Sequence, residues 1–305
     1  MEPFRVHVLG CGSAKPTVRH FASSQVVEIR GKVMMVDCGE GSQVLLRRTK
    51  VRFSKIQHVF ITHIHGDHCF GLIGLICSFG MTGRTAPFHV YAPCELEPIL
   101  RAMLDTFAQN LGFDVVFHAV DTTVHQVIFE DKSLTVSTIP LEHRLPCCGY
   151  LFREKPGYPH IKRDMIDFYH IPTHEIINIK QGGDWVTAEG KVVPHEQLVT
   201  PADAVRSFAY CSDTRYIPTL HTLLEGVNLL YHESTYDEHY KDMASAYGHS
   251  TAAEAAMVAR DAHVGQLMLG HYSSRYDNEQ ILKEEAMRIF PNVILAQEGL
   301  VVDVV

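Results

Sequence analysis

The chain has 305 residues, of which 46% are hydrophobic and 20% charged, and its formal net charge at pH 7 is −8. The apolar fraction is ample for a packed core, no apolar run approaches the ~18 residues of a membrane span, and the negative charge argues against nonspecific nucleic-acid binding by the whole surface. The chain start lacks a signal-peptide pattern, and the eight cysteines show no paired spacing beyond Cys147-Cys148. We therefore expect reduced thiols and a cytoplasmic protein.

Short strands and turn residues dominate the first third of the chain. The pattern predicts a hairpin turn at Gly31-Lys32, strands over 5–9, 24–29, 32–36 and 59–61, and helices over 42–48 and 70–79. Five basic residues and no acid fall within positions 47–55. Either a solvated face or a contact with an RNA backbone would explain this basic segment.

Residues 62–68 read Thr-His-Ile-His-Gly-Asp-His and directly follow the apolar residues 59–61. Gly66 turns the chain into a loop, so His63, His65, Asp67 and His68 stand together at a strand end. Imidazole nitrogen and carboxylate oxygen suit zinc or a neighbouring first-row metal, and no thiolate is needed. The motif therefore predicts a metal site.

The same pattern, an apolar strand with a ligand at its tip, recurs three times later in the chain. His143 follows a predicted strand over 134–139, Asp213 follows 207–211, and His271 follows 266–269. Each residue alone is ambiguous, because histidines at strand ends are ordinary. The recurrence favours one cleft at which several strand ends converge.

Two further polar residues stand near predicted element ends. Glu233 follows a strand over 227–231, and His249 precedes a helix over 251–263 that has capping-box spacing between Thr251 and Glu254. The residues alone leave a surface loop and a capping turn as ordinary explanations for Glu233 and His249.

The segment 153–205 differs from its surroundings, because it is rich in proline and glycine and has a poor apolar pattern apart from a short helix over 164–169. It is too long for an ordinary loop, so we interpret it as an inserted arm, with a disordered loop as the alternative. Trp185 would pack a hairpin there. The remaining elements predict an α/β fold in one body, 1–305, with two sheets packed face to face and helices outside; they are strands over 88–91, 115–118, 124–129, 149–152, 293–295 and 300–304, and helices over 96–109 and 279–289.

Several motifs together resemble ribonuclease Z, the tRNA 3′-processing endonuclease of the metallo-β-lactamase superfamily. The His motif at 62–68 alone is similar to the superfamily signature, which indicates fold and metal but no substrate. The narrower resemblance runs in family order from residue 9 to about 271, and its segments are 9–17, 37–43, 65–72, 212–215, 232–235 and 249–251.

The resemblance implies an αββα sandwich and a zinc-dependent endoribonuclease. It would remove the 3′ trailer from tRNA precursors by hydroxide attack on phosphorus, leaving a tRNA 3′-hydroxyl and a trailer 5′-phosphate. Two zinc ions would be held, one by His63, His65 and His143, the other by Asp67, His68 and His271, with Asp213 bridging them. Asp67 would also accept a proton, and Glu233 with His249 would deliver one to the departing 3′ oxygen.

The resemblance further implies that the arm, 153–205, binds precursor tRNA, that the chain forms a homodimer, and that it has no membrane partner. Two departures concern tRNA contacts more than metal chemistry. The arm's Gly-Pro element is not seen, and residues 171–174 stand in its place; His20 stands where an asparagine is usual.

Three other functions compete with this expectation. A phosphodiesterase or other hydrolase of small substrates on the same fold is the nearest. An iron-containing oxidoreductase is opposed by the motifs outside the ligands and by the lack of a flavin-binding partner domain. A noncatalytic RNA-binding protein would not need seven convergent ligands.

Overall fold

A computed structural model describes residues 2–305. The strands are β1 Phe4–Gly10, β2 Ser24–Ile29, β3 Lys32–Val36, β4 Ile56–Phe60, β5 Phe88–Ala92, β6 Val115–Ala119, β7 Val127–Glu130, β8 Leu134–Pro140, β9 Cys148–Glu154, β10 His160–Ile161, β11 Trp185–Val186, β12 Val192–Val193, β13 Val199–Thr200, β14 Ser207–Cys211, β15 Leu229–Glu233, β16 Gln266–Gly270, β17 Val293–Leu295 and β18 Val301–Asp303. The α-helices are α1 Ser42–Leu46, α2 Gly66–Cys69, α3 Gly71–Met81, α4 Leu96–Phe107, α5 Arg163–Tyr169, α6 Ile176–Lys180, α7 His195–Leu198, α8 Lys241–Tyr247, α9 Ala252–Asp261 and α10 Gln280–Met287. Short 3-10 turns span Phe53–Lys55, Thr173–Glu175, Leu220–Thr222 and Glu238–Tyr240.

Residues 2–153 and 206–305 form the body, which contains two seven-stranded sheets. The first has the order β18-β1-β2-β3-β4-β5-β6 and the second β17-β16-β15-β14-β9-β8-β7. β3 to β6 run parallel in the first sheet, and β14 to β17 run parallel in the second. Since parallel neighbours end at the same sheet edge, each sheet gathers several carboxyl-terminal strand ends there.

Two hydrophobic clusters make the body a layered fold. The larger cluster contains residues of both sheets, such as Phe60 and Phe152, whose rings meet edge-on at 5.5 Å. The second cluster packs the opposite face of the first sheet, including Val59, against helix residues such as Leu75 and Leu100. Neighbouring residues of β4, such as Val59 and Phe60, therefore point to opposite faces of the first sheet, and both faces are buried. This is the arrangement of a parallel strand that is covered on both sides. The predicted sandwich with outer helices is thus confirmed.

Residues 154–205 form a separate compact unit with a small core of its own. Ile171, Ile179, Val193 and Leu198 are buried there. β11 and β12 pair as a hairpin, and the pairing of Trp185 with Val193 agrees with the hairpin expected at that tryptophan. Residues 154–205 are therefore folded along most of their length.

Most element boundaries lie close to those expected, and the differences have local causes. The first hairpin turns at Arg30-Gly31, one residue earlier than predicted, because both have positive φ and Ile29 pairs with Lys32. The helix expected over 70–79 is preceded by a separate turn, α2, that carries Asp67 and His68. None of the helices in residues 2–305 has the length and apolar character that crossing a bilayer requires.

Three histidines form a row on adjacent strands of the first sheet, away from the metal motif. The rings of His58 and His89 stack at 4.9 Å, and Nδ1 of His89 lies 2.9 Å from Nε2 of His118. Phe129 of the second sheet packs edge-on against His58 at 4.8 Å. Burial, reinforced by the nearby histidines and by Lys32 and Arg84, lowers the pKa of His58 to about 4.

This row predicts a loss of stability in acid that depends on His58. The unfolded chain takes up a proton near pH 6.5, whereas folded His58 stays neutral down to about pH 4. Stability therefore falls between these two values, by about 3 kcal/mol at most. We expect His58→Phe to reduce the difference in unfolding free energy between pH 7 and pH 4.5 by about 2 kcal/mol in urea titrations. The exposed control His239→Phe should leave that difference unchanged; an equal effect of both variants would contradict the assignment.

Candidate metal centre

The predicted ligands come from both sheets and meet at the carboxyl ends of strands. His63 follows β4, and Asp213 and His271 follow the parallel strands β14 and β16. His143 follows β8, while Asp67 and His68 lie in the turn α2. The four strands that the sequence predicts to end at a ligand therefore end at the same place in the fold.

The first group of possible ligands contains His63, His65, His143 and Asp213. Nε2 of His63 lies 2.9 Å from Nδ1 of His65, and Nε2 of His143 lies 3.3 Å from that same atom. Oδ2 of Asp213 is 3.7 Å from Nε2 of both His63 and His143. Nitrogens and oxygens at these separations can share one tetrahedral cation.

The second group contains Asp67, His68 and His271. Oδ2 of Asp67 is 3.3 Å from Nε2 of His68 and 3.4 Å from Nε2 of His271. The other oxygen of Asp213, Oδ1, lies 3.2 Å and 3.1 Å from the same two nitrogens. Asp213 therefore directs one oxygen to each group, which is the arrangement that a bridging carboxylate needs.

The hydrogen bonds around the imidazoles test whether this arrangement fits metal ions. The Nδ1 atoms of His68, His143 and His271 each face a fixed acceptor: Asp37 Oδ2 at 2.7 Å, the Gly248 carbonyl at 2.7 Å and Thr235 Oγ1 at 2.9 Å. A proton on each Nδ1 leaves the Nε2 lone pair free for a metal ion. His68 Nε2 is buried and makes no hydrogen bond despite its carboxylate neighbours. The residues fit a pair of borderline metal ions.

The pKa shifts within the site also favour the binding of metal ions by these residues. Burial lowers the pKa of His63 well below its usual value, and it also lowers that of His143, so both imidazoles are neutral. Burial opposes the charged form of His68, yet the carboxylates of Asp213, Asp67 and Asp37 outweigh it and raise the pKa of His68 well above the ordinary range. The carboxylates around His68 therefore stabilise a positive charge, and a bound metal cation would supply such a charge.

Asp37 and Thr62 support the motif and were not among the predicted site residues. Oδ1 of Asp37 accepts hydrogen bonds from the Thr62 backbone N–H at 2.9 Å and from its hydroxyl at 3.0 Å. Because the hydroxyl proton goes to the carboxylate, Thr62 Oγ1 can accept from His63 Nδ1 at 3.0 Å. Asp37 follows β3 as His63 follows β4, so the strand-tip pattern could have identified it.

Two glycines let the backbone of α2 and α3 approach Asp37. A Cβ at Gly71 would lie 2.0 Å from the Gly39 carbonyl oxygen, and one at Gly39 would lie 2.5 Å from the carbonyl oxygen of Asp67. The close approach allows the Cys38 N–H to donate to the His68 carbonyl at 2.8 Å. Asp213 and His271 add two positive φ angles, 53° and 58°, at the ligand positions themselves.

Glu233 and His249 also meet at this site. Glu233 is the last residue of β15, not a loop residue, and it is fully buried. Its Oε1 lies 2.9 Å from His249 Nδ1 and accepts a hydrogen bond from the Thr214 N–H at 2.7 Å. Burial disfavours the charged form of His249, but the Glu233 carboxylate outweighs it and raises the pKa of His249 to about 9.

Thr235 connects this pair to the second ligand group. Its hydroxyl donates to Glu233 Oε2 at 2.6 Å, so the same oxygen can accept the Nδ1 proton of His271 at 2.9 Å. A carboxylate, a threonine hydroxyl and an imidazole thus repeat the arrangement seen at Asp37, Thr62 and His63.

A cleft of about 1200 Å³ opens over the two groups, and it is lined by His65, Asp67, His143, Asp213, His249 and His271. One wall is the loop of residues 13–17 and 20–22. His20 Nδ1 lies 3.0 Å from Glu298 Oε2, and Arg19 Nη1 donates to Glu279 Oε1 at 2.8 Å. Carboxylates near the end of the chain therefore anchor this wall through His20, the residue that stands where the resemblance expects asparagine.

The cysteines take no part in the ligand groups around Asp213. All eight are free thiols. Cys147 Sγ donates to the Asp213 carbonyl at 3.5 Å, and burial raises the pKa of this thiol well above its usual value. Cys69 Sγ donates to the His65 carbonyl at 3.2 Å.

The chain is similar in sequence and in fold to known proteins. Residues 4–160 match a family model described as the Anti-Pycsar protein Apyc1. Ribonuclease Z of Bacteroides fragilis is 52% identical over 300 residues, covering 98% of this chain and 99% of the relative, and ribonuclease Z of Phocaeicola vulgatus is 50% identical over 304 residues, covering 100% and 98%. The crystal structure of human tRNase Z, short form, covers 99% of both chains at 24% identity and a TM-score of 0.71. The metallo-β-lactamase fold protein YhfI from Bacillus subtilis covers 99% of this chain and 100% of its own at 19% identity and a TM-score of 0.69.

The two sheets with outer helices and a His/Asp cluster at their strand ends define a protein of the metallo-β-lactamase fold. Within this fold, identity over nearly the whole length decides the family. The chain belongs to the ribonuclease Z family, and it is therefore a hydrolase of the endoribonuclease class. This excludes the oxidoreductase and the noncatalytic RNA-binding protein.

The bonds of Thr235 predict a specific loss of metal affinity. Thr235→Val removes the acceptor that orients His271 and the donor to buried Glu233, so we expect metal binding 10-fold to 100-fold weaker in chelator competition. In urea titrations of the metal-free protein, the free energy of unfolding of Thr235→Val should be lower than that of wild type by about 1–3 kcal/mol. Thr235→Ser keeps the hydroxyl and should restore most of both values. Unchanged metal affinity in Thr235→Val would contradict this role.

Proposed function

We propose that this protein is a zinc-dependent endoribonuclease that removes the 3′ trailer from tRNA precursors, leaving a tRNA 3′-hydroxyl and a trailer 5′-phosphate. The observation that carries the proposal is the double group of His and Asp side chains beside the Glu233–His249 pair in one open cleft. Relatives named ribonuclease Z, up to 52% identical over almost the whole chain, support the same substrate.

We assign two zinc ions to the two groups, with Asp213 facing both; one ion would be held by His63, His65 and His143, the other by Asp67, His68 and His271. Two bound metal ions supply an activated water and stabilise the attacking and leaving oxygens. The remaining chemistry belongs to side chains of the cleft. Asp67, whose pKa is lowered by His68 and His271 against the effect of burial, is ionised and can accept the proton of the attacking water.

His249 is the proposed proton donor to the departing 3′ oxygen. With a pKa raised to about 9 by Glu233 against the effect of burial, the imidazole is protonated at neutral pH. Its Nδ1–H donates to Glu233 Oε1, which leaves the proton on Nε2 for transfer. Glu233 is itself fixed by Thr214 and Thr235, so it orients the imidazole and compensates its charge.

We further propose that the arm, 153–205, contacts the precursor tRNA. The segment 154–205 folds around its own core and exposes the aromatic residues Tyr158 and Phe168. It carries five Lys/Arg and eight Asp/Glu residues, so its grip must depend on local cations such as Arg163 and not on net charge. The homodimer stays a prediction from the resemblance, and the cytoplasmic location stays a prediction from the cysteine pattern.

Cleavage of a tRNA precursor with a 3′ trailer tests the main proposal. The zinc-loaded protein should make one cut near the discriminator base or just past an encoded CCA, and both new ends should be mapped. Asp67→Ala should abolish the cut while the protein stays folded. His249→Ala should slow the cut by about 10²–10⁴-fold and keep two metal ions per chain in metal analysis.

The outcomes separate the proposal from its nearest rival. Loss of metal from His249→Ala would make His249 a ligand, and normal turnover by Asp67→Ala would refute its role. Hydrolysis of bis(p-nitrophenyl) phosphate without any cut in the precursor would instead favour a hydrolase of small substrates.

Charge reversal in the arm tests its contact with tRNA. Arg163→Glu should raise the KM for the precursor and lower the slope of log affinity against log salt by roughly 0.7–0.9, with hydrolysis of bis(p-nitrophenyl) phosphate unaffected. Arg288, an exposed arginine of the body just after α10, offers the matched control Arg288→Glu. Equal effects of both reversals would argue against a specific role of the arm.

A further inference from the structure

An arginine and a tyrosine form a stacked pair on the rim of the cleft. The Arg144 guanidinium lies over the Tyr247 ring, 4.6 Å from its centroid, and both side chains line the cleft. Tyr247 is 46% exposed. Among residues 2–305, no carboxylate forms a salt bridge with Arg144. The pair therefore presents an aromatic ring and a cation without a salt-bridge partner to a ligand that enters the cleft.

The backbone fixes this pair beside the proposed proton donor. Arg144 directly follows His143, and Tyr247 precedes Gly248, which ends α8 with a φ of 75°. The Gly248 carbonyl accepts the His143 Nδ1–H at 2.7 Å, so the two segments are bonded to each other. The ring of His249 lies 5.0 Å from that of His143. In the sequence, Arg144 is therefore adjacent to His143, and Tyr247 is two residues before His249.

We propose that Arg144 and Tyr247 form a stacking subsite for the nucleotide whose 3′ oxygen departs, which is the last nucleotide retained on the tRNA. The inference rests on the proposed function, since His249 protonates that oxygen. The nucleoside attached to the oxygen must lie within one nucleotide of His249. Two tyrosines of the cleft lie near that histidine, and of these Tyr247 is exposed whereas Tyr236 is buried, so the Arg144–Tyr247 pair is the one with a ring open to a base.

Physical chemistry favours a nucleotide as the occupant. Single-stranded ends of RNA are recognised by stacking their bases on aromatic rings and guanidinium planes. Every base has a π-face, so stacking tolerates any base identity, while the Arg144 charge can also attract the adjoining phosphate. A subsite of this kind would hold the reacting end in line with His249 without selecting for sequence.

A double comparison of protein and substrate tests the subsite. Two precursors are prepared, one normal and one abasic at the last retained nucleotide, and kcat/KM is measured for each. On the normal precursor we expect Tyr247→Ala to lower kcat/KM by about tenfold or more, and Tyr247→Phe, which keeps the ring, to restore most of it. On the abasic precursor wild type should already be slow, and Tyr247→Ala should add little. The control Phe107→Ala, an exposed aromatic of α4 outside the cleft, should leave both substrates unaffected.

The results distinguish the subsite from the function on which it rests. An equal loss in Tyr247→Ala on both precursors, with an unchanged melting temperature, would overturn the subsite and make Tyr247 a support for His249. A wild-type protein that leaves the normal precursor uncut would overturn the proposed function, and the subsite with it.

Discussion

The site depends on one constraint, the burial of the Asp213 carboxylate between imidazoles of two sheets. A charge this deep in protein is unfavourable by several kcal/mol unless donors or cations surround it. Ser212 donates to its Oδ1 at 2.9 Å, and imidazole nitrogens face both of its oxygens. His63 comes from the first sheet and His271 from the second, so both sheets must end at the same edge for Asp213 to be satisfied. The packing of the two sheets and the geometry of the site therefore depend on each other.

Around that carboxylate, one arrangement of groups occurs twice. In each case a threonine hydroxyl gives its proton to a buried carboxylate and receives one from a histidine Nδ1, with Asp37 and Thr62 serving His63, and Glu233 and Thr235 serving His271. Since a hydroxyl has one proton, its direction fixes the histidine tautomer. The tautomers of His63 and His271 are therefore fixed by Asp37 and Glu233, two carboxylates outside the candidate ligand set.

Much of this could be predicted from the sequence because the strong signals are local. The strands Ser24–Ile29, Lys32–Val36 and Ser207–Cys211 have the predicted limits, since apolar runs between turn residues define them. The seven candidate ligands are recognisable by residue type at strand tips. In the arm, the hairpin at Trp185 was expected, but β10 and β13 were missed because a two-residue pairing leaves no periodicity. Asp37 was missed although it follows β3 as His63 follows β4. Thr235 was missed because its partner His271 is distant in sequence.

The buried thiols near the site have a consequence for metal selection and redox tolerance. Cys147 donates to the backbone of Asp213, and burial keeps its sulfur protonated, so no thiolate competes with nitrogen and oxygen for the ion. Soft, thiophilic metals such as copper(I) therefore find no thiolate ligand at the centre, although sulfur lies close by. Oxidation of cysteine begins with the thiolate. Because the ligand groups around Asp213 consist of imidazoles and carboxylates, oxidation of cysteine removes none of their members.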